Sequence, residues 1–258
     1  MKITILTLFK EEFYGIINSS IIKRAIENKV CEINIIDYRD FSKKRNKRVD
    51  DYSYGGGAGM IIEAQPIVDA LKSIPNFETT KKIITSPIGK TYDQKKAIEL
   101  SKENELIIVC GHYEGIDHRI MDYVDEAISI GDYILTGGEI AAMAIIDSII
   151  RLLPEALGNE ESKVDESFEN NLLEYPQYTR PEVYDGKKVP NVLISGNHEN
   201  IRKWRRFMAL KTTYENRPDL IDKAKLSSED EEFLVMIKEG KDINFNLSLI
   251  HISEPTRP

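Results

Sequence analysis

Two short apolar runs, Ile107 to Cys110 and Ala127 to Ile130, each stop at a glycine and open into a polar loop. Runs this short, rich in Ile and Val and bounded by glycine, suit strands buried on both faces of a parallel sheet. In such sheets ligands sit beyond the carboxyl ends of the strands. The loop after the first run offers Gly111, His112, Tyr113, Glu114 and Gly115. The loop after the second offers Gly131, Asp132, Tyr133, Gly137, Gly138 and Glu139. Glycines let a ligand approach backbone N–H and C=O groups closely, while tyrosines and carboxylates add a stacking face and hydrogen-bond acceptors. A small-molecule pocket built from these two loops is the expectation.

The preceding chain fits an α/β domain. Lys2 to Phe9 has the pattern of a buried strand, Phe13 to Lys29 that of a helix with Ile16, Ile17, Ile21, Ile22, Ala25 and Ile26 on one face, and Glu32 to Tyr38 that of a second strand. Strand, helix, strand at this spacing is a βαβ unit. A basic run, Lys43 to Arg48, then precedes a glycine loop, Tyr54 to Met60. The run suits a solvated face better than a phosphate grip. The loop lacks the Lys-Ser/Thr of a P-loop and the spacing of a dinucleotide fingerprint. Further on, a helix from Pro66 to Ser73, a strand from Lys82 to Thr85 ending in the turn Ser86-Pro87-Ile88-Gly89, and a helix capped by Asp93 lead into the central stretch. After it, Glu139 to Leu153 is an apolar helix with an out-of-place Arg151 near its end, where the negative end of the helix favours a cation.

Composition shifts after Pro154. Residues 158–174 are acidic and turn-rich and are expected to be a flexible linker between an α/β domain at 1–157 and a helical domain at 175–246. In the latter, a helix from His198 to about Tyr214 puts Ile201, Trp204 and Met208 on one face and a second basic patch, Arg202 to Arg206, around the rest. A final helix spans Glu229 to Glu239. The tail, 247–258, has no matching periodicity and is expected to be frayed or not native to the protein. The chain has 258 residues and a formal charge of −8, which excludes a generally sticky nucleic-acid binder and leaves only local basic patches for that role. No stretch approaches the ~20 apolar residues of a membrane helix, and no leader is visible, so the cytoplasm is the expected address. Cys31 and Cys110 lie in or beside apolar runs and are expected to be buried thiols.

Five segments taken together resemble a known family: VDDYSYGGGAGM from Val49, VCGHYEGID from Val109, SIGDYILTGGE from Ser129, YPQYTRPE from Tyr175 and SGNHENIRKWR from Ser195. In this order they are similar to the bacterial tRNA (guanine-N1)-methyltransferases, the TrmD family of the SPOUT superfamily. The resemblance implies a SPOUT-type parallel sheet with a deep trefoil knot, followed by a small, mainly helical C-terminal domain. It implies an enzyme that uses S-adenosylmethionine to methylate N1 of guanosine 37 in tRNA, 3′ of the anticodon. It further implies a homodimer with an interfacial active site and allows for Mg2+, whose ligands no carboxylate constellation specifies. The cofactor pocket carries over onto Ser86 and Pro87, onto Gly111, Tyr113 and Glu114, onto Ile130, Gly131, Asp132, Tyr133, Ile134 and Leu135, and onto Gly137 and Gly138.

Guanine N1 carries a proton, so methylation there needs a base for that proton and a cation or donor for the charge left on O6. The family's arginine falls on Arg151. Its catalytic Asp-Ser-Phe stands here as Glu166-Ser167-Phe168, with Asp165 one residue upstream. Either acid can serve. Glu166 is favoured because it holds the register and keeps the carboxylate on a longer side chain. A free carboxylate near ~4 is a weak base at neutral pH, so burial under bound tRNA is expected to raise it. A catalytically silent RNA-binding protein on the same fold is the alternative from another class. A doubly wound dehydrogenase or kinase is disfavoured, because neither GxGxxG nor a P-loop follows any expected strand.

Overall fold

The β-branched runs form the strands their composition suggests. Of the chain, the computed structural model describes residues 1–156, 168 and 171–243. These divide between two units, 1–160 and 161–258.

In the first unit, β1 (Lys2–Thr7) is followed by α1 (Tyr14–Ile17), α2 (Ser20–Glu27) and β2 (Glu32–Asp37). β1 and β2 pair in parallel, Ile3 opposite Ile33. The single helix expected over 13–29 is broken in two. Asn18 Nδ2 donates to the Tyr14 carbonyl at 2.8 Å and Ser19 Oγ to that of Ile16 at 3.2 Å, and such local bonds compete with the helical ladder. The apolar face survives the break, with Ile22 and Ala25 buried. A small antiparallel pair, β3 (Asp50–Asp51) and β4 (Ile61–Ile62), brackets the glycine loop. Then come α3 (Ala64–Ser73), β5 (Lys81–Thr91), α4 (Gln94–Leu100), β6 (Glu105–Cys110), β7 (Glu126–Ser129) and α5 (Glu139–Ile150). Asp93 caps α4 as expected, accepting from the Lys96 N–H at 2.8 Å.

The five long strands form one parallel sheet in the order β2-β1-β6-β5-β7. Each face of this sheet has its own apolar core. Ile107 and Val109 of β6 join one with Ile67 and Leu71 of α3, and Leu106, Ile108 and Cys110 join the other with Ile145 and Ile149 of α5. Alternate side chains point to opposite faces, so a strand covered on both sides must be apolar throughout. The strands carrying the glycine loops are not neighbours, because β5 lies between them. One expectation is corrected here: Ser86-Pro87-Ile88-Gly89 does not end a strand, because Thr85 and Lys90 both pair with Ile128, so these residues bulge out of β5, which continues to Thr91.

The second unit contains β8 (Val183–Tyr184) and β9 (Lys187–Lys188), then α6 (Asn191–Ile194), α7 (His198–Asn216), α8 (Pro218–Ile221) and α9 (Ser228–Lys238). The β8–β9 hairpin turns on Asp185-Gly186, both at positive φ, a turn signal that the sequence displays and the reading above passed over. α7 buries Trp204, Phe207, Leu210 and Thr213, and half-buried Met208 packs against the core that Phe207 and Leu210 join, so the face expected at Ile201, Trp204 and Met208 is wider and runs on through Phe207, Leu210 and Thr213. Phe207 and Leu210 pack with Phe233, Leu234 and Ile237 of α9, and Leu172 from the stretch expected as linker joins them. Both basic runs are met by acids. Lys43, Lys44, Lys47 and Arg48 pair with Asp69, Asp51, Asp40 and Asp50, and Arg202 and Arg206 with Glu229 and Asp230. Among the described residues no helix is long and apolar enough to cross a membrane.

Candidate active site

The loops that follow β6 and β7 and the bulge of β5 meet at the carboxyl end of the sheet and enclose a cavity of about 370 Å³. This lies within the usual range for small-ligand sites. Ser86 and Pro87 come from the β5 bulge, which the central position of β5 makes the middle of the wall. Gly111, Tyr113 and Glu114 come from the β6 loop. Ile130, Gly131, Tyr133, Ile134, Leu135, Gly137 and Gly138 come from the loop between β7 and α5. Of the cofactor residues expected from the sequence, Asp132 does not line the cavity and is exposed.

After leaving β7, the chain returns across the sheet to β6. The Gly138 N–H donates to the Gly111 carbonyl at 2.7 Å, and Gly137 bridges His112. Glycine is required at both turns of this return. A side chain at 138 would run into the Thr85 hydroxyl and the backbone of Cys110 and Gly111, and one at 137 into the Glu139 carboxyl group and the His112 ring. Tyr113 stands at φ 60, a conformation uncommon for a tyrosine and frequent in functional loops held by their surroundings.

Sequence reasoning missed how the glycine loop takes part. The Ile62 N–H donates to the Gly115 carbonyl at 2.9 Å, the Asp117 N–H to Ile62 at 2.8 Å and the Glu114 N–H to Met60 at 3.2 Å. The loop thus buttresses the cavity wall from behind, and a side chain on Gly59 would strike Glu114. His112 and the wall residues Ile116 to His118 were not carried over either. Their only signal was position within the same β6 loop.

Electrostatics remove one chemical option. Burial, with Glu139 nearby, pushes the Cys110 thiol well above its ordinary value, so it stays a thiol and is no nucleophile. Arg119 beside Asp117 holds that carboxyl group below its ordinary range. Arg151 is the C-cap of α5 and does not line the cavity. Asp165 and Glu166 lie outside the described residues, as does the tail from 247.

A family model described as tRNA (guanine-1)-methyltransferase TrmD matches residues 1–223. The chain belongs to this family. It is 54% identical over 247 residues to a tRNA (guanine-N(1)-)-methyltransferase of Clostridium botulinum strain Loch Maree, covering 96% of this chain and 100% of the relative. It is 57% identical over 234 residues to the enzyme so named from Clostridium perfringens, covering 91% and 99%. It is 55% identical over 233 residues to that of Clostridium tetani, covering 90% and 97%. As a member of the TrmD family the chain is a methyltransferase, and the family implies S-adenosylmethionine as methyl donor. The cavity suits that donor: it has the volume for a small ligand, and its wall turns at glycines whose backbone a ligand can approach.

Proposed function

We infer that this chain transfers a methyl group from S-adenosylmethionine to N1 of guanosine 37 in tRNA, 3′ of the anticodon. The observation that carries this reading is that the family's glycine motifs, separate in sequence, build the wall of one cavity. When bound there, S-adenosylmethionine supplies an electrophilic methyl group. The residues to hold it are Ser86 and Pro87, Gly111, Tyr113 and Glu114, and the wall from Ile130 to Gly138 without Asp132.

The chain itself must then handle one proton and one charge. Glu166, or Asp165 beside it, takes the proton from guanine N1, and Arg151 stabilises the charge on O6. Arg151 does so in the site of a second protomer. A helix rises about 1.5 Å per residue, which puts Arg151 about 15 Å along α5 from Ala141, the last residue of that helix on the cavity wall. An arginine side chain does not span that length. This supports a homodimer with an active site shared between subunits. Ile134 and Ile88, 84% and 68% exposed at the cavity rim, give such an interface an apolar surface. The return of the β7 loop across β5 to β6 supports a trefoil crossing of the chain. The described residues offer Mg2+ no cluster of three metal-binding side chains, and no step here runs through it. tRNA as substrate also makes the cytoplasm the expected address.

Incubating the enzyme with labelled S-adenosylmethionine and bulk tRNA, then mapping the modified base, tests the reading. Label at N1 of guanosine 37 is expected. Binding of tRNA without transfer would favour the silent RNA-binding alternative, and label elsewhere would refute the assigned position.

A further inference from the structure

Glu139 opens α5 and is 1% exposed. It has no place on the cavity wall, although His112, Gly137 and Gly138 around it do. An acid so deeply buried is costly unless its oxygens are satisfied. One oxygen is. Thr7 Oγ1 accepts from the Phe9 N–H at 2.9 Å and donates its own proton to Glu139 Oε1 at 2.8 Å. The other, Oε2, faces His112 Nδ1 at 3.7 Å, just beyond hydrogen-bond distance. His112 Nδ1 is itself buried with no hydrogen-bond partner among the described residues. An unsatisfied ring nitrogen thus faces a carboxylate oxygen across a gap that a shift of under about 1 Å closes.

The gap lies where the cavity is assembled. Thr7 ends β1, His112 belongs to the β6 loop, and Gly137 passes so close that a side chain there would strike both the Glu139 carboxyl group and the His112 ring. We propose that Glu139 is a positioning residue of the cofactor cavity: it accepts a hydrogen bond from His112 Nδ1–H when the cavity is occupied, and so locks the β6 and β7 loops to the end of β1. This rests on the reading of the cavity as the S-adenosylmethionine site. The bond also fixes the imidazole tautomer, leaving Nε2 as an acceptor on a residue that lines the cavity.

Calorimetry with S-adenosylmethionine, single-turnover rates and nitrogen NMR of 15N-histidine-labelled enzyme test it. The His112 signal is assigned by its absence in His112→Asn. In the wild-type enzyme, Nδ1 is expected to be protonated once S-adenosylmethionine is bound. Glu139→Gln is expected to raise the dissociation constant at least tenfold and to leave the rate at saturating cofactor within about twofold. Thr7→Val is expected to raise it roughly threefold, and Thr7→Ser, which keeps the hydroxyl, to restore most of that loss. An unprotonated Nδ1 in the bound wild type overturns the proposal without need of any variant. So does Glu139→Gln binding within twofold of wild type, or a rate at saturation that falls as steeply as affinity. Wild-type enzyme that fails to bind S-adenosylmethionine overturns the reading of the cavity, and the proposal with it. Wild-type binding with no effect at Glu139 overturns the proposal alone.

Discussion

Tyr113 and Gly137 separate binding from folding at the scale of single residues. A side chain at 137 meets Glu139 and His112 in the interior, so Gly137→Val is expected to lose stability as well as ligand. Overpacking of this kind costs about 1–3 kcal/mol, readable as a lowered melting temperature. Tyr113 is half exposed and already stands at positive φ. Tyr113→Gly is therefore expected to keep or slightly raise the melting temperature, since glycine adopts that conformation freely. Its affinity for S-adenosylmethionine should fall by roughly tenfold, about 1.4 kcal/mol, and calorimetry beside a melting curve checks both. For the chemical step, Glu166→Gln is expected to slow single-turnover methylation by at least ~100-fold, the scale of a lost general base, with cofactor affinity near wild type. Asp165→Asn should matter less. A dead Asp165→Asn beside an active Glu166→Gln would reverse the assignment.

Among the elements, α9 and the β8–β9 hairpin make the most specific demands. Asp230 closes a capping box with Ser227 and holds Arg206 through two bonds at 2.6 and 2.8 Å. Burial would raise its carboxyl group, but Arg206 and the Ser227 N–H and hydroxyl outweigh that and hold it below its ordinary value. A carboxyl group lowered in the folded state contributes stability that is present above its unfolded value and is lost as pH falls through the folded one. Asp230→Asn is expected to lose about 1–3 kcal/mol at pH 7. In urea titrations the gap to wild type should narrow as pH drops below about 4. A gap that stays constant with pH would mean the ion pair contributes nothing. The hairpin bears on RNA. Most cations of the basic runs face acids, whereas Lys187 and Lys188 are exposed on β9 and, among the described residues, have no acidic partner. Replacing both by Gln is expected to flatten the slope of log tRNA affinity against log salt by up to about two units, and Arg202→Gln to flatten it less. Equal slopes would place the phosphate contacts elsewhere.

At the scale of the whole molecule, the proposed sharing of the active site between two protomers predicts complementation. Arg151→Ala and a cavity-blocking Leu135→Glu are each expected to be nearly inactive alone. Mixed and allowed to exchange subunits, they should regain activity, because a heterodimer pairs an intact cavity on one chain with an intact Arg151 on the other. Activity that stays at the level of the separate variants would mean that Arg151 serves its own chain's site, or none.

The sequence by itself determined the five strands of the main sheet, most of the helices and the glycine turns of the cavity wall. Continuous Ile/Val runs can only be satisfied by burial on both faces, and Gly111, Gly137 and Gly138 marked where backbone must come close. Those signals are local, so they survive without coordinates. Only the tertiary structure placed β5 between β6 and β7, because strand order depends on which helices cover which face and leaves no mark on periodicity. It also decided the fate of the charges. Lys43 finds Asp69, Arg202 finds Glu229 and Glu139 finds Thr7, each across a stretch of chain that no window of sequence spans. A charge run in the sequence shows which groups are present, and the fold alone decides which of them meet acids and which remain for a polyanion.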